Sequence, residues 1–192
     1  MDKRYQVFVS STYEDLREER QQVMQALLEL DCIPSGMELF PAASEDQWTL
    51  IKKVIDDCDY YLVIIGGRYG SIGSDGKSYT QMEYEYALTK QKHAIAFLHE
   101  NPGDIPASKT ESSSAGKEKL AEFRRLAETT VCKYWSSAPD LGGKVSRSIV
   151  QLIRQHPAIG WVRADEAAEG IDGEDGSGKT QGAGRYGSFI FD

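Results

Sequence analysis

Cysteine is scarce and badly placed for cross-linking. Cys32, Cys58 and Cys132 are odd in number and far apart, with no C-x-x-C pair among them, so neither a disulfide framework nor a cysteine-based zinc site is expected. Long apolar runs are missing as well. No stretch approaches the roughly 20 residues that a membrane-spanning helix needs, and the opening MDKRYQ lacks the hydrophobic segment of a secretory signal. A cytoplasmic protein without a membrane partner is the expectation. Excess positive charge is also absent: 22 Lys and Arg face 30 Asp and Glu, a net charge of −8, which argues against a polyanion-binding surface and so against a nucleic-acid partner. His93, His99 and His156 show no metal-ligand spacing and no nucleophile partner, so no metal is expected. No internal repeat is visible.

What is present is ordinary for a globular chain of 192 residues, with 40% apolar and 27% charged residues. That length buries a substantial core without staples. The charge is unevenly spread. From Ala164 to Asp192 seven acids stand against two bases, a net of −5, among seven glycines. Such a segment cannot offset its ordering entropy by burial. The expected organisation is therefore an α/β domain over residues 1–163, ending after Gly160-Trp161-Val162-Arg163, and a disordered acidic, Gly-rich tail or linker over 164–192. The closing Phe189-Ile190-Phe191-Asp192 suggests further domains of a longer chain. Within the tail, Gly173-Glu174-Asp175-Gly176-Ser177-Gly178-Lys179-Thr180 spells G-x-x-x-x-G-K-T. A phosphate-binding loop needs a buried strand before it and a helix after it, and AEGID and QGAGRYGS supply neither; the string is read as accidental.

The body alternates strand-like and helix-like segments. Strands are expected at Tyr5–Ser10, Ile33–Leu39, Tyr60–Ile65, His93–Leu98 and Val131–Trp135. Helices between them carry periodic apolar faces: Leu16, Val23, Leu27 and Leu30; Ile51, Val54, Ile55 and Cys58; Tyr84, Ala87 and Leu88; Leu120, Phe123 and Ala127; Val145, Ile149, Leu152 and Ile153. Ser11-x-x-Glu14, Ser44-x-x-Gln47 and Ser78-x-x-Gln81 read as capping boxes for the first three. The first helix is expected to begin at once after Ser-Ser-Thr, at Tyr13. Unbroken apolar strands such as Tyr61-Leu62-Val63-Ile64-Ile65 suit a parallel sheet covered on both faces. Five βα units imply a doubly wound, flavodoxin-like sheet of order 2-1-3-4-5. The polar loop from Glu100 to Gly116 is expected to be long and mobile.

In such a sheet the ligand crevice lies beyond the carboxyl ends of the strands where their order reverses, here strands one and three. Two loops belong there, Ser10-Ser11-Thr12 and Gly66-Gly67-Arg68-Tyr69-Gly70-Ser71-Ile72-Gly73. Glycine lets backbone approach a ligand, and Arg68 is suited to phosphate or carboxylate; a plain turn uses the same glycines. The third helix supplies the chemistry. Glu83 lies four residues before Ala87 and borders the buried stripe, whereas Glu85 sits on the solvent side. Thr80-x-x-Glu83 is also a capping-box spacing, and spacing by itself favours that structural role. Tyr69 and Tyr79 border the crevice.

VFVSSTYEDLREER, GMELFPA, CDYYLVIIGGRYGS, YTQMEYEYAL and GWVRAD together resemble the domain-of-unknown-function family numbered 4062, across Tyr5 to Asp165. That family is similar to TIR domains and, more distantly, to nucleoside deoxyribosyltransferases. In those enzymes a glutamate early in the helix after strand three acts at the glycosidic carbon, four residues before a small residue. Glu83-Tyr84-Glu85-Tyr86-Ala87 matches the pattern, so the resemblance gives Glu83 that catalytic role. It also implies a nucleotide-type ligand held by Ser10, Ser11, Gly66, Gly67, Arg68 and Tyr69. Phe40, in Phe40-Pro41-Ala42-Ala43, corresponds to a loop that gates the site and mediates assembly, so self-association is implied. NAD⁺ enters as a substrate, and no cofactor is implied. Tyr79-Thr80-Gln81-Met82 departs from the small-residue and Trp-Cys pattern that many TIR domains carry before the glutamate. The function implied is N-glycosidic bond hydrolysis of NAD⁺ or a nucleotide in bacterial stress or antiphage defence; the alternative is a non-catalytic signalling or self-association module that binds a nucleotide-derived ligand.

Overall fold

The structure is a computed structural model and describes residues 2–36, 46–73 and 75–165. Among these, five strands alternate with five α-helices. β1 (Gln6–Ser11), β2 (Ile33–Ser35), β3 (Tyr60–Ile65), β4 (His93–His99) and β5 (Cys132–Trp135) are separated by α1 (Arg17–Leu28), α2 (Asp46–Asp57), α3 (Tyr79–Thr89) and α4 (Ser114–Glu128), and α5 (Ala138–Gln155) follows β5. The strand order is β2-β1-β3-β4-β5, with every pairing parallel. This is the doubly wound α/β architecture expected from the pattern.

The helices divide between the two faces. Val23 and Leu27 of α1 and Leu141, Val145 and Ile149 of α5 pack with Val7, Val9, Tyr60, Leu62 and Ile64. Ile51 and Ile55 of α2, Tyr84 and Ala87 of α3, and Phe123 and Ala127 of α4 pack with Phe8, Tyr61, Val63 and Ile65. Alternate side chains of one strand thus enter opposite layers. All six residues of β3 are buried, which is why that strand reads as an unbroken apolar run.

The compact unit spans Lys3–Trp161. The second unit is Met1–Asp2 with Val162–Asp192, of which Asp2 and residues 162–165 are described; there Arg163 pairs with Asp165 at 3.1 Å. The expected disordered tail beyond Asp165, with its Gly173–Thr180 string, lies outside the described residues, as do Leu39, Phe40 and the Ser44 cap.

One expectation changes. α1 starts at Arg17 with no side-chain cap, so Ser11-x-x-Glu14 is not a capping box. Tyr13–Asp15 bend instead, and Leu16 N–H donates to the Tyr13 carbonyl at 3.3 Å, which turns Leu16 into the core at 3% exposure. The loop after β4 contains two 3-10 turns, Pro102–Asp104 and Ala107–Lys109. It is tied to the loop after β3 where Glu111 N–H donates to the Gly67 carbonyl at 2.8 Å.

Candidate functional site

The carboxyl ends of β1 and β3, the first turns of α3 and the loop after β4 enclose a cavity of about 480 Å³. Its walls include Ser11, Thr12, Glu14, Asp15, Arg68, Gly70, Tyr79, Glu83 and Glu111. The loops after β1 and β3 meet closely. At Gly70, with φ of 95°, an added Cβ would lie 2.9 Å from Thr12 Cγ2, so only a residue without a side chain permits the approach.

Ser78 caps α3, its hydroxyl accepting from Gln81 N–H at 3.2 Å. Glu83 is therefore inside the helix, beyond the capping turn, and the alternative Thr80-x-x-Glu83 cap does not form. Glu83 is 2% exposed and lines the cavity. Ser10 Oγ donates to its Oε2 at 2.5 Å, an interaction between side chains 73 positions apart that fixes the carboxylate against β1. Burial first, and then the nearby Glu83 charge, push the buried Tyr61 hydroxyl well above the ordinary phenol range, with the Ser10 hydroxyl offsetting part of the rise.

The other expected ligand-binding residues are differently placed. Ser11 borders the cavity, but its hydroxyl accepts from Arg20 at 2.5 Å and donates to the Thr12 carbonyl at 2.7 Å. Arg68 also lines the wall. Its guanidinium donates to Glu14 Oε2 at 3.4 Å and to the Ser108 carbonyl at 2.8 Å, while Nε is buried without a partner. Gly66 packs beneath the turn, against Leu16 and Asp15. Gly67 faces the Lys109 carbonyl. Tyr69 is buried, its N–H donating to Glu111 Oε2 at 3.1 Å and its hydroxyl to Gln81 Oε1 at 2.6 Å. Ser11, Arg68 and Glu83 thus line the crevice, with Ser10 behind it bonded to Glu83 and Gly66, Gly67 and Tyr69 outside its lining. Phe40 lies outside the described residues.

Two residues emerge that sequence reasoning missed. Asp15, 3% exposed, lines the cavity, and neither carboxylate oxygen makes a well-formed hydrogen bond. Burial raises its pKa, and the Thr12 hydroxyl and the Arg68 and Lys109 charges offset only part of that rise. Glu111 arrives from the loop after β4, where no sequence signal marked it. For Asp15 the only signal was its place beside Leu16, the first core residue of the helical face.

A larger cavity of about 760 Å³ lies across Gly67, lined by Ile105, Leu120, Arg124 and Arg125 together with Glu111 and Glu128. Both carboxylates there are engaged, Glu111 by Tyr69 N–H and Glu128 by the Tyr134 hydroxyl at 3.1 Å, so it is the weaker candidate for carboxylate chemistry. Among the described residues no group of three His, Cys, Asp or Glu could hold a metal. Burial pushes the Cys32 and Cys58 thiols up to about 11 and about 12, far from the low values of nucleophilic thiols. No described helix is long and apolar enough to cross a membrane.

Residues 6–150 match the family described as Domain of unknown function (DUF4062). The structure is similar to the TIR domains of the activated Roq1 resistosome, with a TM-score of 0.50 and 14% identity over 78% of this chain and 99% of that one. It is also similar to the CMP N-glycosidase BcmB of Clostridium botulinum, with a TM-score of 0.47 and 19% identity over 74% of this chain and 98% of that one. No curated protein matches the chain.

Proposed function

This chain belongs to the DUF4062 family and has a TIR-like fold, and on that footing we propose that it hydrolyses the N-glycosidic bond of a ribosyl compound. The observation that carries the reading is Glu83: a carboxylate 2% exposed, held by Ser10, and lining a cavity at the sheet's topological switch point. A carboxylate is almost never buried to this degree unless paired, and here the pairing with Ser10 leaves Glu83 facing the cavity.

The chemistry follows from charge. As the bond between the anomeric carbon and the base nitrogen breaks, the ribose ring develops oxocarbenium character. A fixed carboxylate beside that carbon stabilises or traps the cation, and a site with little water makes the interaction stronger. Ser10 restricts Glu83 to one orientation, so the carboxyl group is positioned before the reaction starts. Tyr79, on the cavity wall, offers a ring face for the base. NAD⁺, nucleosides and nucleotides all contain the required bond. On this reading the domain is an effector that depletes such a compound in stress or antiphage defence, in an assembly of copies of itself.

The test is product analysis after incubating concentrated protein with NAD⁺ and with common nucleosides. The expected result is release of the free base, reduced at least ~10³-fold by Glu83→Gln with an unchanged circular-dichroism spectrum. Full turnover in that variant sinks the reading. Concentration-dependent assembly without turnover in the wild type favours the signalling module instead.

A further inference from the structure

We propose that Asp15 is the proton donor of this site, and that the compounds cleaved are therefore ribosides whose leaving group is a neutral nucleobase. The proposal rests on the glycosidase reading above and supplies the half of the reaction that Glu83 leaves open.

Three observations carry it. The first is placement: Asp15 is 3% exposed and lines the same 480 Å³ cavity as Glu83. The second is the absence of a structural job. Neither of its oxygens makes a well-formed hydrogen bond, the Thr12 hydroxyl acting only as a nearby, partly offsetting influence, whereas buried polar atoms are nearly always paired. Asp15 does not cap α1, whose N-cap is Leu16. It does not pair with Arg68 either, whose guanidinium turns to Glu14 and to the Ser108 carbonyl. The third is the charge around it. Glu14, Glu83 and Glu111 line the cavity with Asp15, and Arg68 is the one cationic side chain in its wall among the described residues. Lys109 adds a second positive charge nearby. Burial disfavours the charged form of a carboxyl group; it is the largest influence on Asp15 and raises its pKa, against the opposing pull of the Thr12 hydroxyl and the Arg68 and Lys109 charges. The same acidic wall disfavours a phosphate at the reactive end of the ligand.

The reaction then balances. The electron pair of the C1′–N bond leaves with the base. A neutral base would depart as an anion, so the Asp15 carboxyl passes its proton to the base nitrogen as that bond breaks, while Glu83 faces the developing cation at C1′. Water adds its oxygen to C1′ and gives its proton to the Asp15 carboxylate, which restores the starting state. The products are ribose and the protonated, uncharged base. A cationic leaving group such as the nicotinamide of NAD⁺ departs neutral without a proton and has no use for Asp15.

The experiment compares the full chain with its Asp15→Asn variant on cytidine and adenosine, and on NAD⁺. The expected result is a loss in kcat/KM of about 10²–10⁴-fold on the nucleosides, with a loss at least ~10-fold smaller on NAD⁺. In the wild type, which requires no variant to fold, nucleoside cleavage should fall as pH rises and Asp15 loses its proton. Equal losses on both substrate classes, or nucleoside cleavage indifferent to Asp15→Asn, overturns the proton-donor role. Wild-type cleavage of NAD⁺ without nucleosides overturns this proposal and leaves the glycosidase reading standing. No turnover on either class overturns both.

Discussion

Asp15 and Glu83 are both carboxylates about as buried as the core around them, 3% and 2% exposed, yet only Glu83 receives a hydroxyl hydrogen bond from β1. The difference gives Asp15 a signature in stability. Its folded pKa lies above the ordinary 3.8, so the folded state holds the proton more tightly than the unfolded chain does. A group of this kind destabilises the fold progressively as pH rises through the interval from its unfolded value to its folded one, because the unfolded chain ionises first. Asp15→Asn removes that dependence. The melting temperature of the variant minus that of the wild type should therefore grow as pH is raised from about 4 to about 7. Thermal melts at several pH values check it, and a difference independent of pH would mean that Asp15 is already ionised in the fold.

At the scale of elements, what could be read from the sequence and what could not separate along the reach of the interactions. β3 is bounded at Tyr60 and Ile65 as expected because an apolar run between polar flanks carries its own boundaries. Ser78 caps α3 because capping is a contact three residues long. The start of α1 was misplaced for the opposite reason: Ser11-x-x-Glu14 has the local spacing of a cap, but Gly66, more than fifty positions away, decides where Asp15 and Leu16 go. A Cβ on Gly66 would lie 2.8 Å from Leu16 Cδ2 and 3.3 Å from Asp15 Oδ2. The gathering of Ser10 with Glu83 was legible through the topology, since strands one and three must be neighbours in a doubly wound sheet. Asp15 was legible only by its place beside Leu16 in the expected first helix. Gly66→Ala should thus displace the turn before α1, costing about 1–3 kcal/mol in a denaturant melt. It should also lower turnover at the site, although residue 66 does not line the cavity. Unchanged stability would show that Leu16 swings aside freely.

The whole Lys3–Trp161 unit has two hydrophobic layers separated by one sheet, and β3 contributes three side chains to each: Tyr60, Leu62 and Ile64 to one, Tyr61, Val63 and Ile65 to the other. Neither layer can lose its packing without exposing a strand that the other needs buried, so the two should unfold together. The site makes the same demand. Ser10 comes from β1, Glu83 from α3 beneath the second layer, and Asp15 from the turn entering α1 in the first, so the relative placement of both layers sets the distance between the two carboxyl groups. Tryptophans report the layers separately, Trp135 in the first and Trp48 against the second. Leu62→Ala truncates a side chain 0% exposed in the first layer and should cost about 2–5 kcal/mol. In single-tryptophan backgrounds the fluorescence of Trp48 and of Trp135 should shift to the same lower denaturant midpoint, because the sheet transmits the loss. If only the Trp135 transition moved, the layers would be independent, and the carboxyl groups would be held by two units rather than by one.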